Sequence, residues 1–268
     1  KAAQDVTLDA GSKLEANGPK GGEITVHAEQ GTLLASGAVE AKGADYKGGT
    51  VRLLGDRVGL LGNASVDSSG AAGGGTALVG GDYQGKNVEV QNARQTFVAD
   101  GATLTADATG HGDGGKVVVW ADDWTRYHGI ASARGGALGG DGGLVEVSGK
   151  QNLTFAGQAL LSAPYGSAGS LLLDPADLYI TSNASHTGTK DPTNPFQDNG
   201  SADFFALKSN IEAVSGTVHL SASRDLIFET SLNLAQTTGL ALDANASNAI
   251  RLASYGISTA GGDVSLVA

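Results

Sequence analysis

Short stretches of alternating apolar and polar residues recur along the chain. Two small residues precede such an alternation in seven segments, namely 21–28, 48–55, 114–121, 142–149, 169–176, 216–223 and 261–268. A period of two is typical of a β-strand with one buried face. The residues predicted to face inward are Ile24/Val26, Val51/Leu53, Val117/Val119, Val145/Val147, Leu171/Leu173, Val218/Leu220 and Val264/Leu266. Those predicted to face outward include Thr25, Arg52, Val118, Glu146 and His219.

Each repeat unit contains two further short strands. The predicted inward residues of the second strand are Leu33/Ala35, Val58/Leu60, Thr125/Tyr127 and Leu153/Phe155. A third strand is predicted within 14–18, 39–43, 66–70, 104–110, 131–135 and 161–166. Units begin at Gly22, Gly49, Gly75, Gly115, Gly143 and Ser170, in steps of 27, 26, 40, 28 and 27 residues.

Three short strands in about 27 residues leave no room for the helical crossover of a βαβ unit, which needs roughly 30 residues or more. They suit one coil of a solenoid instead. The sequence therefore predicts an all-β protein that folds as a right-handed parallel β-helix. About ten coils, each adding about 4.8 Å, would form a rod of roughly 50 Å. Glycine serves the corners, where positive φ and close approach of stacked coils favour a residue without Cβ.

The alternation stops between residues 181 and 215. This stretch begins with turn residues and two prolines, which predicts a loop extruded from the rod. A short helix is expected over 201–214, with Ser201 as N-cap and with Phe204, Leu207 and Ile211 on one face. We therefore divide a single solenoid into regular coils at 1–180, the loop and helix at 181–215, and further coils at 216–268.

Composition narrows the classes of function. The net charge of −11 opposes binding to nucleic acid, which requires clustered Lys and Arg. No run approaches the roughly 20 apolar residues that span a bilayer, so we expect no membrane-spanning segment. The lack of cysteine excludes a disulfide framework. Because Lys1 begins in the middle of the pattern and no Met precedes it, we expect a fragment of a longer polypeptide.

Four longer motifs carry a family resemblance. They are GGGTALVGGDYQGKN (73–87), GGKVVVWADDWTRYHG (114–129), SARGGALGGDGGLVEVSGKQNLTFAG (132–157) and GSLLLDPADLYI (169–180). With these motifs, residues 45–268 resemble the filamentous haemagglutinin-like large exoproteins of Gram-negative bacteria. The chain departs from the family pattern at Trp124, where a small polar residue is more usual, and in the loop at 183–200.

The resemblance implies export by two-partner secretion through an outer-membrane transporter, with a secretion domain followed by a long β-helical shaft. The chain is similar to the shaft. Many relatives are adhesins or biofilm matrix proteins that are secreted or attached to the cell surface, which implies an exopolysaccharide, a host glycan or a receptor as partner. The resemblance also suggests why cysteine is absent, because periplasmic disulfides hinder a chain that crosses a membrane unfolded.

Acidic residues in the turns are the first candidates for chemistry. Parallel β-helices also occur among polysaccharide-degrading enzymes, but the pairs Asp122/Asp123 and Asp174/Asp177 lie at strand ends beside turn residues, which favours structural capping. The Gly- and Asp-rich segments 110–116 and 135–143 lack the nine-residue spacing of calcium repeats. We expect their Asp113 and Asp141 to bind turn amides, and we predict no metal and no cofactor.

The second candidate is the segment WADDWTRYHG (120–129). Strand alternation places Trp120, Trp124, Arg126 and His128 outward, as a candidate glycan platform. The alternative is that the 183–215 insertion covers both tryptophans. We expect partial shielding, with Trp124 as the more accessible of the two rings.

The function that we predict is a non-catalytic structural or adhesive segment of a cell-surface exoprotein. Two alternatives stay open, a carbohydrate-binding module and a polysaccharide-degrading β-helix enzyme. A cleft with paired acidic residues over neighbouring coils would favour the enzyme.

Overall fold

The chain folds as the parallel β-helix that the sequence predicts, in a computed structural model that describes residues 1–183, 195–196, 204–235 and 242–268. In this part of the chain the strands stack in about eight turns, fewer than the ten expected. The 40-residue step contains one set of three strands, at 76–79, 95–98 and 103–105, so its extra residues add no further coil. None of the described helices is long and apolar enough to cross a membrane.

Each coil contributes strands to three faces. The first face consists of the opening parts of β3 (Glu23–Ala35) and β5 (Thr50–Leu60), then β7 (Thr76–Val79), β10 (Lys116–Ala121), β13 (Leu144–Gly149), β16 (Ser170–Leu173), β19 (Thr217–Ala222), β22 (Leu242–Ala246) and β25 (Val264–Val267). The second face consists of β1 (Val6–Leu8), the closing parts of β3 and β5, then β8 (Gln95–Val98), β11 (Trp124–Tyr127), β14 (Asn152–Phe155), β17 (Leu178–Thr181), β18 (Ala206–Leu207), β20 (Asp225–Phe228) and β23 (Ala249–Arg251).

The third face is narrower. It consists of β2 (Lys13–Glu15), β4 (Ala38–Glu40), β6 (Ser65–Asp67), β9 (Thr103–Thr105), β12 (Ile130–Ser132) and β15 (Gln158–Leu160), followed by the separate pair β21 (Leu232–Leu234) and β24 (Ile257–Thr259). One third-face strand lies earlier in the chain than predicted. We expected it within 161–166, whereas β15 ends at Leu160. Every pairing among the described strands is parallel, as a solenoid requires.

A ladder of aliphatic side chains fills the interior, and its predicted register is confirmed. Val117 lies opposite Val145, and Val145 lies opposite Leu171 on the next coil. These three residues and Val51 are fully buried. Burying one such side chain stabilises the fold by roughly 1.5–3 kcal/mol, so each coil depends on the coils beside it.

The predicted pattern does not hold equally at every position. Val264 and Leu266 are half-exposed because β25 is the last strand of the stack. Val118 and Glu146 do lie on the outer side of the first face, but both are fully buried there. A side chain that points outward from the strand is therefore not always in contact with solvent, because a further segment covers this face.

Glycine at the start of a coil is required by close approach rather than by positive φ. A Cβ on Gly115 or on Gly143 would overlap the carbonyl oxygen of the equivalent glycine in the preceding coil. Positive φ occurs at other glycines, such as Gly62 and Gly80. The coil openings thus need a residue without a side chain, whatever its backbone conformation.

The insertion rejoins the rod as a strand and one turn of helix. Strand β18 lies between β14 and β17, with Ala206 opposite both Phe155 and Ile180. Helix α1 (Lys208–Glu212) follows, and its Ile211 is buried in the main core. The helix is shorter than predicted, and its N-cap is Leu207, which belongs to a strand, rather than Ser201. Ser201 and most of the predicted loop at 181–200, namely 184–194 and 197–200, lie outside the described residues.

Candidate functional site

The predicted tryptophan platform is buried. The exposed fraction is 4% for Trp120, 3% for Trp124, 0% for Arg126 and 7% for His128. The expectation of an open sugar-binding surface is therefore wrong for this cluster, and Trp124 is no more accessible than Trp120. The strand alternation correctly placed these side chains away from the main core, but it could not show what lies above them.

Trp120 is covered by a segment that the sequence analysis did not identify, residues 80–93, here called the cover segment. Trp120 packs with Leu54, Leu78, Val90 and Val118 in a second apolar cluster outside the first face. A Cβ on Gly85 would come within 2.5 Å of the Trp120 ring, so glycine lets the cover segment lie flat on the indole. The only sign of this segment in the sequence was the 40-residue step between units.

Trp124 and Arg126 are covered by the insertion. The alternative prediction, that the insertion covers both tryptophans, therefore holds for Trp124 and is wrong for Trp120, which lies beneath the cover segment. The rings of Trp124 and Phe196 are 6.0 Å apart. The Arg126 guanidinium lies 4.4 Å from the centroid of the Trp124 ring and 5.5 Å from that of Phe204. On the neighbouring strand, Phe97 packs against His128 at 6.0 Å. The contacts of Phe196 and Phe204 tie the insertion to the second face of the rod.

The cover segment contains a tight turn that is bound to the sheet by carboxyl groups. The turn is a 3₁₀ helix (Tyr83–Gly85). The Asp82 carboxyl accepts a hydrogen bond from the Tyr83 backbone N–H at 2.7 Å. Asp82 also accepts one from the Lys116 ammonium at 2.7 Å. Gln84 has a φ of 53°, a left-handed conformation that costs free energy for a residue with a side chain.

Gln84 joins two carboxyl groups from neighbouring coils. Its backbone N–H donates to both carboxyl oxygens of Glu146, at 3.0 and 3.1 Å. Its side-chain amide donates to Asp174 Oδ2 at 2.9 Å. Glu146 is on β13, and Asp174 follows β16, which pairs with β13. A strained residue thus bridges two acidic side chains at one point of the outer face.

The environment shifts the pKa of several of these groups. Burial raises the pKa of Glu146 to about 8, and the nearby charges of Asp174 and Asp82 act in the same direction, while hydrogen bonds from Gln84 and Ser148 oppose them. Burial also acts to raise the pKa of Asp82. The hydrogen bonds that Asp82 accepts from Asn87, Lys116 and Tyr83 outweigh the effect of burial, so the pKa of Asp82 is lowered. Glu146 is therefore mostly protonated at neutral pH.

A pocket of about 310 Å³ opens beside this turn. Its polar lining includes Tyr83, Gln84, Ser170, His219, Ser221 and Asn245. The floor consists of successive strands of the first face, β13, β16, β19 and β22, and one wall is the cover segment. The repeat predicts Ser170 of this pocket as the start of a unit, His219 as an outward strand residue and Leu220 as an inward one, and none of them as a binding residue.

The other acidic candidates have structural contacts. Asp122 accepts hydrogen bonds from Asn92 and from the Trp120 indole, and Asp177 forms an ion pair with Arg224. Asp123 lies 3.5 Å from the Gln95 amide.

The turn aspartates bind backbone amides, as predicted. Asp113 accepts a hydrogen bond from the Asp141 N–H at 2.8 Å, and Asp141 accepts one from the Ser167 N–H at 2.7 Å. Among the described residues, no group of three or more His, Cys, Asp or Glu is arranged to hold a metal ion.

The polar pocket adjoins Gln84, the residue that the Glu146 and Asp174 carboxyl groups hold in place. Comparisons with models of known protein families and with curated proteins find no match to this chain.

Proposed function

We propose that the chain is a non-catalytic structural and adhesive segment of a secreted exoprotein on the surface of a Gram-negative bacterium. The observation that carries this proposal is the regular stack, in which the ladder from Val51 to Val218 continues through successive coils in one register. Each coil buries its apolar side chains against its neighbours, so that the fold extends in one dimension. A rod of this kind holds a binding region away from the cell.

The resemblance of residues 45–268 to filamentous haemagglutinin-like exoproteins supports the same proposal. It adds the route of export, two-partner secretion through an outer-membrane transporter, and the class of partner, an exopolysaccharide, a host glycan or a receptor. The lack of cysteine is consistent with a chain that crosses the periplasm unfolded.

Deleting this segment from the exoprotein on living cells tests the proposal. We expect the deletion to lower adhesion and biofilm mass while export continues, with surface immunolabelling as the measure of export. Replacing the segment by an unrelated β-helix with the same number of coils is the matched control for length. Cells that adhere normally after the deletion would contradict a structural or adhesive role.

A polysaccharide-degrading enzyme is the second candidate, and the bridged carboxyl pair is the observation that favours it. Glycoside hydrolysis uses two carboxyl groups on either side of the scissile bond. However, Glu146 is fully buried beneath Gln84, so it has no contact with solvent through which to reach a substrate.

We therefore expect the purified protein to release no reducing ends or unsaturated sugars from pectin, alginate or host glycans. Reproducible turnover that is lost in Asp174→Asn would establish the enzyme instead.

A further inference from the structure

The pocket beside the cover segment has the features of a built binding site. Its walls come from separate elements, the 3₁₀ turn on one side and strands of the first face on the other. At about 310 Å³ it lies at the small end of the range for small-molecule sites, about 300–1,000 Å³. It therefore suits a short ligand rather than a long polymer segment.

Gln84, which forms the inner wall of the pocket, has a strained backbone conformation. Two groups of hydrogen bonds stabilise this left-handed conformation of Gln84. The Glu146 carboxyl accepts hydrogen bonds from its backbone N–H, and Asp174 accepts one from its side-chain amide. Strained residues and buried acidic groups concentrate at functional sites, because both need a surrounding structure that compensates for their cost. At Gln84 the two occur together beside a pocket, whereas two other grooves, one at Gly18 and one at Gly37, are lined largely by residues of the coil corners.

We propose that this pocket binds the end of a neutral oligosaccharide, one or two sugar units, with Tyr83 as an aromatic wall and Ser170, Ser221 and Asn245 as hydrogen-bonding groups. Hydroxyl and amide groups donate and accept hydrogen bonds, as sugar hydroxyls do. Leu172 adds an apolar surface for the face of a sugar ring.

The charges around the pocket favour a neutral ligand over an acidic one. The Asp174 carboxylate lies behind Gln84, and the Lys116 ammonium is already paired with Asp82. The chain as a whole carries a net charge of −11. A polyuronate such as pectin or alginate would therefore be repelled at this position.

This inference rests on the adhesive part of the proposed function and names its ligand class. The test is a glycan array that contains neutral and acidic oligosaccharides, followed by calorimetry of the intact chain with the neutral glycans that bind. Tyr83→Ala and Asn245→Ala are the test variants. Tyr165→Ala is the matched control, because Tyr165 is 75% exposed and is not among the residues that line this pocket.

We expect the chain to bind neutral glycans and each test variant to bind them roughly tenfold more weakly, while Tyr165→Ala binds normally. The inference would be overturned if the chain failed to bind any neutral glycan at millimolar concentration, or if it preferred polyuronates. It would also be overturned if Tyr83→Ala and Asn245→Ala bound neutral glycans as tightly as the parent chain does. None of these results affects the role as a shaft, which the deletion on cells tests separately.

Discussion

The buried carboxyl of Glu146 predicts an unusual dependence of stability on pH. Its pKa is about 8 in the folded protein, against an ordinary value of 4.5. Above about pH 4.5 the unfolded chain loses this proton, whereas the folded protein keeps it until about pH 8. The folded state therefore binds more protons within this window, and the contribution of Glu146 to stability falls as the pH rises.

The magnitude follows from the size of the shift. One pKa unit corresponds to about 1.4 kcal/mol, so a shift from 4.5 to about 8 corresponds to an upper bound of roughly 5 kcal/mol. Glu146→Gln keeps the shape of the side chain and an oxygen that accepts the Gln84 N–H, but it cannot ionise. We expect the variant to retain its stability at alkaline pH better than the parent protein.

The assay is urea unfolding followed by circular dichroism at several pH values between 5 and 9. Other charged side chains, Asp82, Asp174 and Lys116, lie near the turn, so the comparison that matters is the difference between parent and variant. Asp174→Asn is the second variant, and by removing a nearby negative charge it should lower the Glu146 pKa slightly. Parallel pH profiles for the parent and Glu146→Gln would refute the argument that burial keeps this carboxyl protonated.

Two further predictions concern the interior and the covered aromatic cluster. Val145→Asp places a charge in the fully buried ladder and should cause cooperative loss of the β-sheet signal, at a cost of several kcal/mol, whereas Val88→Asp on the exposed cover segment should not. A local effect confined to one coil would contradict the stacked core. Trp124→Ala should lower the free energy of unfolding by about 3–5 kcal/mol, as for other buried tryptophans, and leave glycan binding unchanged. Strong acrylamide quenching of the parent's tryptophan fluorescence would contradict the burial of both indoles.

The covered face changes how the aromatic cluster is interpreted. Trp120 and Trp124 are the two tryptophans of the chain, and both stabilise segments that lie outside the coils. Arg126 stacks on Trp124 and leaves the ring little access to a ligand. The pocket that we propose as the binding site lies elsewhere, beside Tyr83 of the cover segment.

The repeat alone determined the architecture of this protein. A period of two, glycines at regular steps and no room for crossover helices together permit little besides a solenoid, and the inward residues follow from alternation. Val117, Val145 and Leu171 were therefore predictable, because their burial depends on a regular pattern that every coil repeats.

The site depended on tertiary structure, because residues distant in sequence form it. Gln84, Glu146 and Asp174 meet only after the cover segment folds over the first face, and no spacing in the sequence records that contact. Alternation indicates which side of a strand a residue takes, but whether solvent reaches that side depends on what packs above it. For that reason Trp120 and Glu146, both correctly placed outward, are buried in the folded protein.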